Sequence, residues 1–230
     1  MLREIGYASF EEMFSHIPDE VMLKEGVNIP SGLSEQAVKA RMEDIAGKNV
    51  VFRHIFRGAG AYNHYIPAIV SNVTSKEEFV TAYTPYQAEI SQGILQSIFE
   101  YQTMICELTG MDTANASVYD GGTAIFEAAM MAVRSTRRRV LVVDEAVNPI
   151  WRSMLEAYVS SLDLEIKTVP QQNGCSDMDA LMAATDATCA AVIVQNPNFF
   201  GAVADYTALF AKARSQKAFG VISVYPVMQS

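Results

Sequence analysis

Residues 140–169, VLVVDEAVNPIWRSMLEAYVSSLDLEIKTV, decide the fold class. An unbroken apolar run, Val140–Val143, is followed by a helical pattern over Trp151–Ser160 and a second apolar run, Leu164–Val169. Short apolar runs separated by helices are typical of parallel strands that are covered on both faces. The segment therefore predicts a strand–helix–strand unit of an α/β protein.

The same alternation extends in both directions along the chain. A helix is predicted from near Gly122 through Ala132, and further strands are predicted at Cys189–Val194 and Phe219–Val224. Asp177 and Asp205 stand where each would cap a helix. Because the sequence stops soon after the last of these strands, we expect the large domain to be incomplete at its C-terminus.

The first part of the chain predicts a helical arm instead of a sheet. Ser9–Glu12 and Thr74–Glu77 match the capping box, in which a hydroxyl and a Glu each satisfy a free N–H. A long helix is predicted from about Ala88 to Thr109. Its isoleucines at helical spacing, expected in the core, are Ile90, Ile94, Ile98 and Ile105. We predict an N-terminal helical arm and interface segment over 1–87 and an α/β large domain over 88–230.

Composition argues against several classes of partner and site. The net charge of −9 gives no support to a nucleic-acid partner, since phosphate binding needs a basic surface. The one basic run, Arg137–Arg139, is interpreted as a solvated helix end. No apolar stretch approaches the roughly 20 residues of a membrane span, and the N-terminus lacks a signal peptide's apolar core. The 3 cysteines are widely spaced and predict neither disulfides nor a metal site. We expect a cytoplasmic protein without a membrane partner.

Two short stretches carry candidate chemistry. Gly121-Gly122-Thr123 precedes a predicted helix, where a glycine nest and free N–H groups could hold a phosphate. A glycine pair before a helix is also common as a tight connection, and both interpretations stay open. In the second stretch, YTPYQAEISQG at 83–93, two tyrosines bracket Thr84-Pro85. Such rigid aromatic bodies with a hydroxyl tip suit buried interfaces, whereas the alternative is that Pro85 fixes a helix entry and the tyrosines pack on it.

Four segments together resemble the glycine cleavage system P-protein family. They are YTPYQAEISQG, GAGAYNHYIPAIV, NASVYDGGTA and VQNPNFFGAVAD. The likeness is to subunit 1 of the split form, which corresponds to the N-terminal half of the single-chain enzyme, and it extends over effectively the whole chain. It implies a fold-type-I pyridoxal-phosphate-dependent transferase-like fold, present here as a partial large domain with a mostly parallel sheet and a helical arm.

The resemblance also implies an activity. The family's enzyme is glycine dehydrogenase (aminomethyl-transferring), an oxidoreductase that decarboxylates glycine on pyridoxal phosphate, releases CO2 and passes the aminomethyl group to the lipoyl arm of H-protein. It implies that the partner, P-protein subunit 2, carries the cofactor, and that this chain is non-catalytic. When isolated, the chain is expected to bury exposed apolar surface in a homodimer. The alternatives are a scaffold protein without enzymatic role, or an independent pyridoxal-phosphate lyase whose lysine lies beyond this chain.

The resemblance assigns no catalytic residue to this chain, and no metal site. Its candidate contributors to a site shared with the partner are Tyr83, Thr84, Tyr86, Gln87, Glu89 and His64. Its degenerate phosphate site is Gly121, Gly122 and Thr123. The strand Val221–Tyr225 lacks the carboxylate that would hold the cofactor's ring nitrogen, so no internal aldimine is expected in this chain. The chain departs from the family at Asn148, where histidine is common, and that puts any contact inherited there in doubt.

Overall fold

The computed structural model describes residues 1–55, Ala59, 64–87 and 93–228, without the side chain of Val227. The chain divides into two compact units, Met1–Ile55 and Phe56–Ser230. The predicted limit between residues 87 and 88 stays a prediction, because residues 88–92 lie outside the described part. Within the described residues, no helix is both long and apolar enough to cross a membrane.

The first unit is helical and has no core of its own. It contains a 3-10 turn at Leu2–Ile5, helix α1 at Phe10–Met13 and helix α2 at Glu35–Gly47. The predicted cap before α1 is confirmed in part: the Ser9 hydroxyl accepts the N–H of Glu12 at 3.2 Å, whereas the Glu12 carboxylate accepts the N–H of Ala8, at 2.6 Å, and not that of Ser9. No residue of this unit is buried.

The second unit begins with helices α3 (Ala68–Thr74), α4 (Glu77–Val80) and α5 (Gly93–Thr109). The capping box predicted at Thr74–Glu77 is wrong, because Thr74 ends α3 and its hydroxyl donates to the carbonyl of Val70.

The predicted start of the long helix at Ala88, and Ile90 with it, lie outside the described residues. The expectation that the isoleucine stripe lies in the core is wrong, since α5 has no buried residue. Three isoleucines of the stripe are half-buried, namely Ile94, Ile98 and Ile105.

The predicted α/β region is confirmed almost element by element. Its elements are α6 (Gly121–Thr136), β1 (Val140–Asp144), α7 (Pro149–Val159), β2 (Glu165–Val169), α8 (Met178–Ala184), β3 (Cys189–Gln195), α9 (Thr207–Ser215) and β4 (Phe219–Ser223). The strands form a parallel sheet in the order β2-β1-β3-β4. Asp177 caps α8 as predicted. The N-cap of α9 is Tyr206 and not the predicted Asp205, whose carboxylate nevertheless accepts the N–H of Thr207 at 2.8 Å.

The core lies on both faces of the two central strands. Leu141 and Val143 of β1 belong to a buried cluster with α6 and α7, whereas Val142 belongs to a second cluster with α8 and α9. Strands β1 and β3 are buried along their whole length. This explains why both appear in the sequence as unbroken apolar runs without alternation.

The basic run after α6 is only in part a solvated helix end. Arg137 is an exposed left-handed C-cap, and Arg139 forms an exposed ion pair with Asp163. Arg138 is different, because one guanidinium nitrogen, Nη1, donates to the carbonyls of Cys189, at 2.9 Å, and Gln216, at 2.7 Å. It therefore ties the amino-terminal side of β3 to the end of α9, and the solvated interpretation is wrong for this residue.

Candidate functional site

The chain changes direction between the two central strands. From β1 it runs outward through α7 to β2, and from β3 it runs outward on the other side through α9 to β4. In open α/β sheets, ligands bind in the crevice outside the carboxyl ends of strands at such a switch point. The candidate site is therefore the edge where β1 ends at Asp144 and β3 ends at Gln195.

A buried carboxylate occupies this edge. Asp144 is completely shielded from solvent. Its Oδ1 accepts the N–H of Ala146 at 2.9 Å, and its Oδ2 accepts the hydroxyl of Ser176. Burial raises the pKa of Asp144 above its ordinary value, against the opposing effect of these hydrogen bonds. Because both oxygens already have partners within the chain, Asp144 holds the loops of this edge together.

The network continues to the neighbouring strand. The Ser176 hydroxyl lies 2.8 Å from the hydroxyl of Tyr206, which donates to the backbone carbonyl of Gln195 at 3.4 Å. Burial raises the pKa of Tyr206, so its hydroxyl keeps its proton. These contacts join the end of β1, the loop after β2, the end of β3 and the start of α9. Nothing in the sequence pattern predicted this cluster, which we call the Asp144 network.

The glycine pair lies at the start of α6, toward the same carboxyl edge of the sheet as the Asp144 network. Asp120 caps the helix, with its Oδ1 accepting the N–H of Thr123 at 2.8 Å. A Cβ atom added to Gly121 would lie 2.6 Å from Cζ2 of Trp151, and one added to Gly122 would lie 2.6 Å from Sδ of Met154. The glycines therefore let α7 pack closely on the start of α6, as the tight-connection interpretation expects.

Comparison with known proteins identifies the family. The family model described as glycine cleavage system P-protein matches residues 1–228. The chain belongs to the glycine cleavage system P-protein family. It is 66% identical over 230 residues to a Desulfovibrio desulfuricans protein named "Probable glycine dehydrogenase (decarboxylating) subunit 1", and covers 52% of that relative. A Carboxydothermus hydrogenoformans protein of the same name is 48% identical over 229 residues, with 99% of this chain and 52% of the relative covered. The chain thus spans about half the length of these relatives.

A solved structure agrees with this assignment. The crystal structure of an inhibitor-bound glycine decarboxylase (P-protein) of the glycine cleavage system matches with a TM-score of 0.86 at 39% identity, covering 99% of this chain and 51% of that one. A Burkholderia pseudomallei sphingosine-1-phosphate lyase, at a TM-score of 0.59 and 15% identity, covers 89% of this chain and 50% of its own and shares the fold alone. The predicted fold class is confirmed.

The residues that the P-protein resemblance placed near a shared site are exposed. Tyr83 is 91% exposed and Tyr86 is 72% exposed, so neither tyrosine is buried within the chain. The N–H of Gln87 donates to the carbonyl of Thr84 at 2.9 Å, which closes a turn around Pro85 and Tyr86.

None of the other described candidate residues is buried. His64 and Gln87 are exposed, Thr84 is half-buried, and Glu89 lies outside the described residues. A site role for this set of residues therefore stays a prediction.

Asn148, the position at which the resemblance led us to expect histidine, has a structural role here. Its side-chain oxygen accepts the N–H of Ile150 at 2.9 Å, and Pro149 follows at the first helical position of α7. Its own N–H donates to Oε1 of Gln195 at 2.8 Å. Asn148 is therefore an effective N-cap that also links the ends of β1 and β3.

The residues of this chain do not fit pyridoxal phosphate at its own carboxyl edge. None of its seven lysines follows a strand: Lys167 lies within β2, and the others lie in the helical arm or on and after α9. β4 carries no carboxylate, and the one acid buried at this edge, Asp144, is engaged by Ala146 and Ser176. The Gly-Thr helix start is capped by its own Asp120. Anion binding at Gly121–Thr123 stays a prediction.

Proposed function

We propose that this chain belongs to subunit 1, the non-catalytic subunit, of glycine dehydrogenase (aminomethyl-transferring). In this proposal the complex decarboxylates glycine, releases CO2 and transfers the aminomethyl group to the lipoyl arm of H-protein. The observation that carries it is the 66% identity, over the whole of this chain, to a protein named as glycine dehydrogenase subunit 1. We place the complex in the cytoplasm, which agrees with three free cysteines.

The cofactor is proposed to sit on the partner, P-protein subunit 2. When bound there, pyridoxal phosphate supplies the electron sink that loss of CO2 from glycine requires. This chain lacks a suitable lysine and a free acid at its carboxyl edge, which supports the assignment to the partner. The same features disfavour an independent lyase acting with the residues of this chain.

Exposed apolar surface supports the existence of a partner. Between residues 1 and 119, no described residue is buried, yet the helices there carry many large apolar side chains. On α5 the most exposed of these is Leu108, at 78%. Monomeric proteins rarely leave contiguous apolar surface in water, and such surface marks sites of protein interaction. Subunit 2 is the occupant that the family assignment favours.

Reconstitution tests this function. The chain and its cognate subunit 2, each inactive alone, are expected on mixing to release labelled CO2 from glycine labelled at the carboxyl carbon and to load lipoylated H-protein. A scaffold protein would associate without changing the rate of CO2 release. Full activity of subunit 2 alone would reject the proposal, as would activity of this chain alone.

The exposed tyrosines are expected to act in the complex and not in folding. Tyr83→Phe and Tyr86→Phe each remove only a hydroxyl from a side chain that solvent surrounds. We expect each variant to lower CO2 release by the reconstituted complex about tenfold, the cost of roughly one hydrogen bond to a charged or reacting group. The melting temperature of the chain is expected to stay unchanged. A lowered melting temperature with intact turnover would reverse the assignment.

A further inference from the structure

We propose that the amino edge of the sheet, where the strands begin and the helices end, is a docking surface for an acidic segment of another protein. Three exposed cations lie at or after the end of α6, namely Arg134, Arg137 and Arg139. Three more lie at or after the end of α9, namely Lys212, Arg214 and Lys217. We call these six residues the basic edge. Positive charge is thus concentrated here in a chain whose net charge is −9, and the proposal does not depend on the role of the chain in the complex.

Arg138 holds the two halves of the basic edge together. Its Nη1 donates to the carbonyl of Gln216 at 2.7 Å and to the carbonyl of Cys189 at 2.9 Å. The turn after α6 and the turn after α9 therefore meet at the starts of β1 and β3. The cations that follow one helix lie beside those that follow the other, so they can act on one ligand.

Most charges of the basic edge have no carboxylate partner within the described residues. Of the six cations, only Arg139 forms a salt bridge there, with Asp163. The other carboxylates near the ends of α7 and α8 and the start of β2 form no salt bridge with a described cation; they are Glu156, Glu165 and Asp186. A carboxylate of a partner could therefore pair with the remaining cations without displacing an existing ion pair.

Two cations of the basic edge stand where the backbone favours glycine. Arg137 is the C-cap of α6 with φ 57°, and Lys217, which follows the C-cap of α9, has the same φ. This left-handed conformation is unfavourable for a residue with a Cβ atom, and glycine usually adopts it at a helix end. Basic charge there also complements the helix dipole, but Arg134 and Arg214 already supply it within the last turns. The two unfavourable positions are thus best explained by a use for their side chains.

A cleft beside α6 indicates the kind of partner. It has a volume of about 320 Å³, and Arg137, Arg138, Arg139 and Asp163 lie around it. Its apolar lining comes from Met130, Val133, Leu162 and Leu164. An acidic protein segment can place an apolar side chain in this cleft and its carboxylates against the basic edge. A nucleic acid or an anionic membrane would instead present its charge to a molecule that is acidic as a whole.

The binding test uses the whole chain and a fluorescein-labelled oligoglutamate peptide with a central leucine. Anisotropy is followed at low and at physiological salt, and duplex DNA and phosphatidylserine vesicles are titrated in parallel. We expect saturable peptide binding that weakens as salt is raised, because the pairing charges are exposed. Absence of saturable peptide binding would overturn the proposal, as would tighter binding of the DNA or of the vesicles.

Glycine substitutions separate binding from folding. Arg137→Gly combined with Lys217→Gly is expected to weaken peptide binding at least about tenfold, because two ion pairs are lost. The same variant is expected to raise the melting temperature by about 2 °C, since glycine adopts the left-handed conformation without strain. Asn173→Gly is the matched control, because residue 173 is left-handed, with φ 52°, but lies after β2 at the carboxyl edge. Its peptide binding is expected to equal that of the parent.

The other outcomes of these substitutions count against the proposal. Unchanged peptide binding in the double glycine variant would show that the basic edge is not the docking surface. A lowered melting temperature together with lost binding would show that the two side chains serve the fold. If the glycine variant does not fold, Arg137→Gln with Lys217→Gln removes the same charges and repeats the binding test, with the same loss of affinity expected.

Discussion

Replacing Leu108 by lysine is expected to weaken binding of the chain to subunit 2 by at least about 30-fold, the effect of losing one interface hot spot of 2 kcal/mol. Leu108 is 78% exposed on α5, so the substitution removes no packing within the chain. The free energy of unfolding is therefore expected to change by less than about 0.5 kcal/mol. An interface that covers Leu108 would lose its apolar contact and would have to bury a charge instead.

The surroundings of Leu108 explain the choice of this position. Tyr101, Met104 and Leu108 have the spacing i, i+3 and i+7, which places them on one face of α5. All three are exposed. A helix that binds in a groove presents its anchoring side chains with this spacing. A different, polar face of the helix carries Thr103 and Glu107.

Thr103→Lys is the matched control, because it adds the same charge to the same helix on its polar face. Binding is measured by titration calorimetry with subunit 2, and unfolding by denaturant. If Leu108→Lys and Thr103→Lys bind equally well, the α5 face is not the interface. Sedimentation of the isolated chain adds a second test, since a homodimer that uses this face would dissociate in Leu108→Lys but not in Thr103→Lys.

The sheet could be predicted because its signal is local. The apolar runs at Val140–Val143 and Cys189–Val194 need burial on both faces, and only a covered parallel sheet provides it. The helices before α6 were harder to predict, because none of their described residues is buried within the chain. The isoleucine stripe of α5 has the spacing of a core-facing helix, and the spacing cannot tell whether this chain or another one covers the stripe.

The candidate site, too, could be predicted only in part, because its contacts join distant parts of the chain. The start of α6 was found from its glycines, yet the residues that explain those glycines, Trp151 and Met154, lie one helix further along the chain. The Asp144 network was missed because Asp144 and Ser176 are 32 residues apart, Ser176 and Tyr206 are 30 residues apart, and they meet only where parallel strands end at one edge. The available signal was a single acid directly after four apolar strand residues, in a position where a strand would otherwise stay apolar.

Asp144 makes stability depend on pH in a direction opposite to that of a salt-bridged carboxylate. Burial raises its pKa in the folded chain, whereas in the unfolded chain the pKa is near the ordinary 3.9. Between these two pKa values the folded state holds more protons than the unfolded state. The contribution of Asp144 to the free energy of unfolding is therefore fully present below its unfolded pKa and is lost as pH rises through its folded pKa. Between these two pKa values the loss is about 1.4 kcal/mol for each pH unit.

Asp144→Asn is expected to abolish this dependence while keeping the network intact. The amide oxygen can accept the N–H of Ala146, and the amide nitrogen can donate to the Ser176 hydroxyl. That hydroxyl can then donate to Tyr206, whose own proton still goes to the carbonyl of Gln195, so only the hydrogen bond between residue 144 and Ser176 changes direction. Asp144→Ala cannot accept these hydrogen bonds. It is expected to lower the free energy of unfolding by about 3 kcal/mol, because it leaves buried donors without acceptors.

The decisive measurement is the difference in unfolding free energy between the parent and Asp144→Asn, followed from pH 4 upward. Carboxylates that do not interact with Asp144 cancel in that difference, so its slope belongs to Asp144 and to its coupling with Glu145. We expect the parent to lose stability relative to the variant as pH rises through the folded pKa, and the difference to level off above it. If the unfolding free energy of the parent minus that of Asp144→Asn stays constant or increases with pH, the folded chain stabilises the ionised carboxylate and the network is held by its charge.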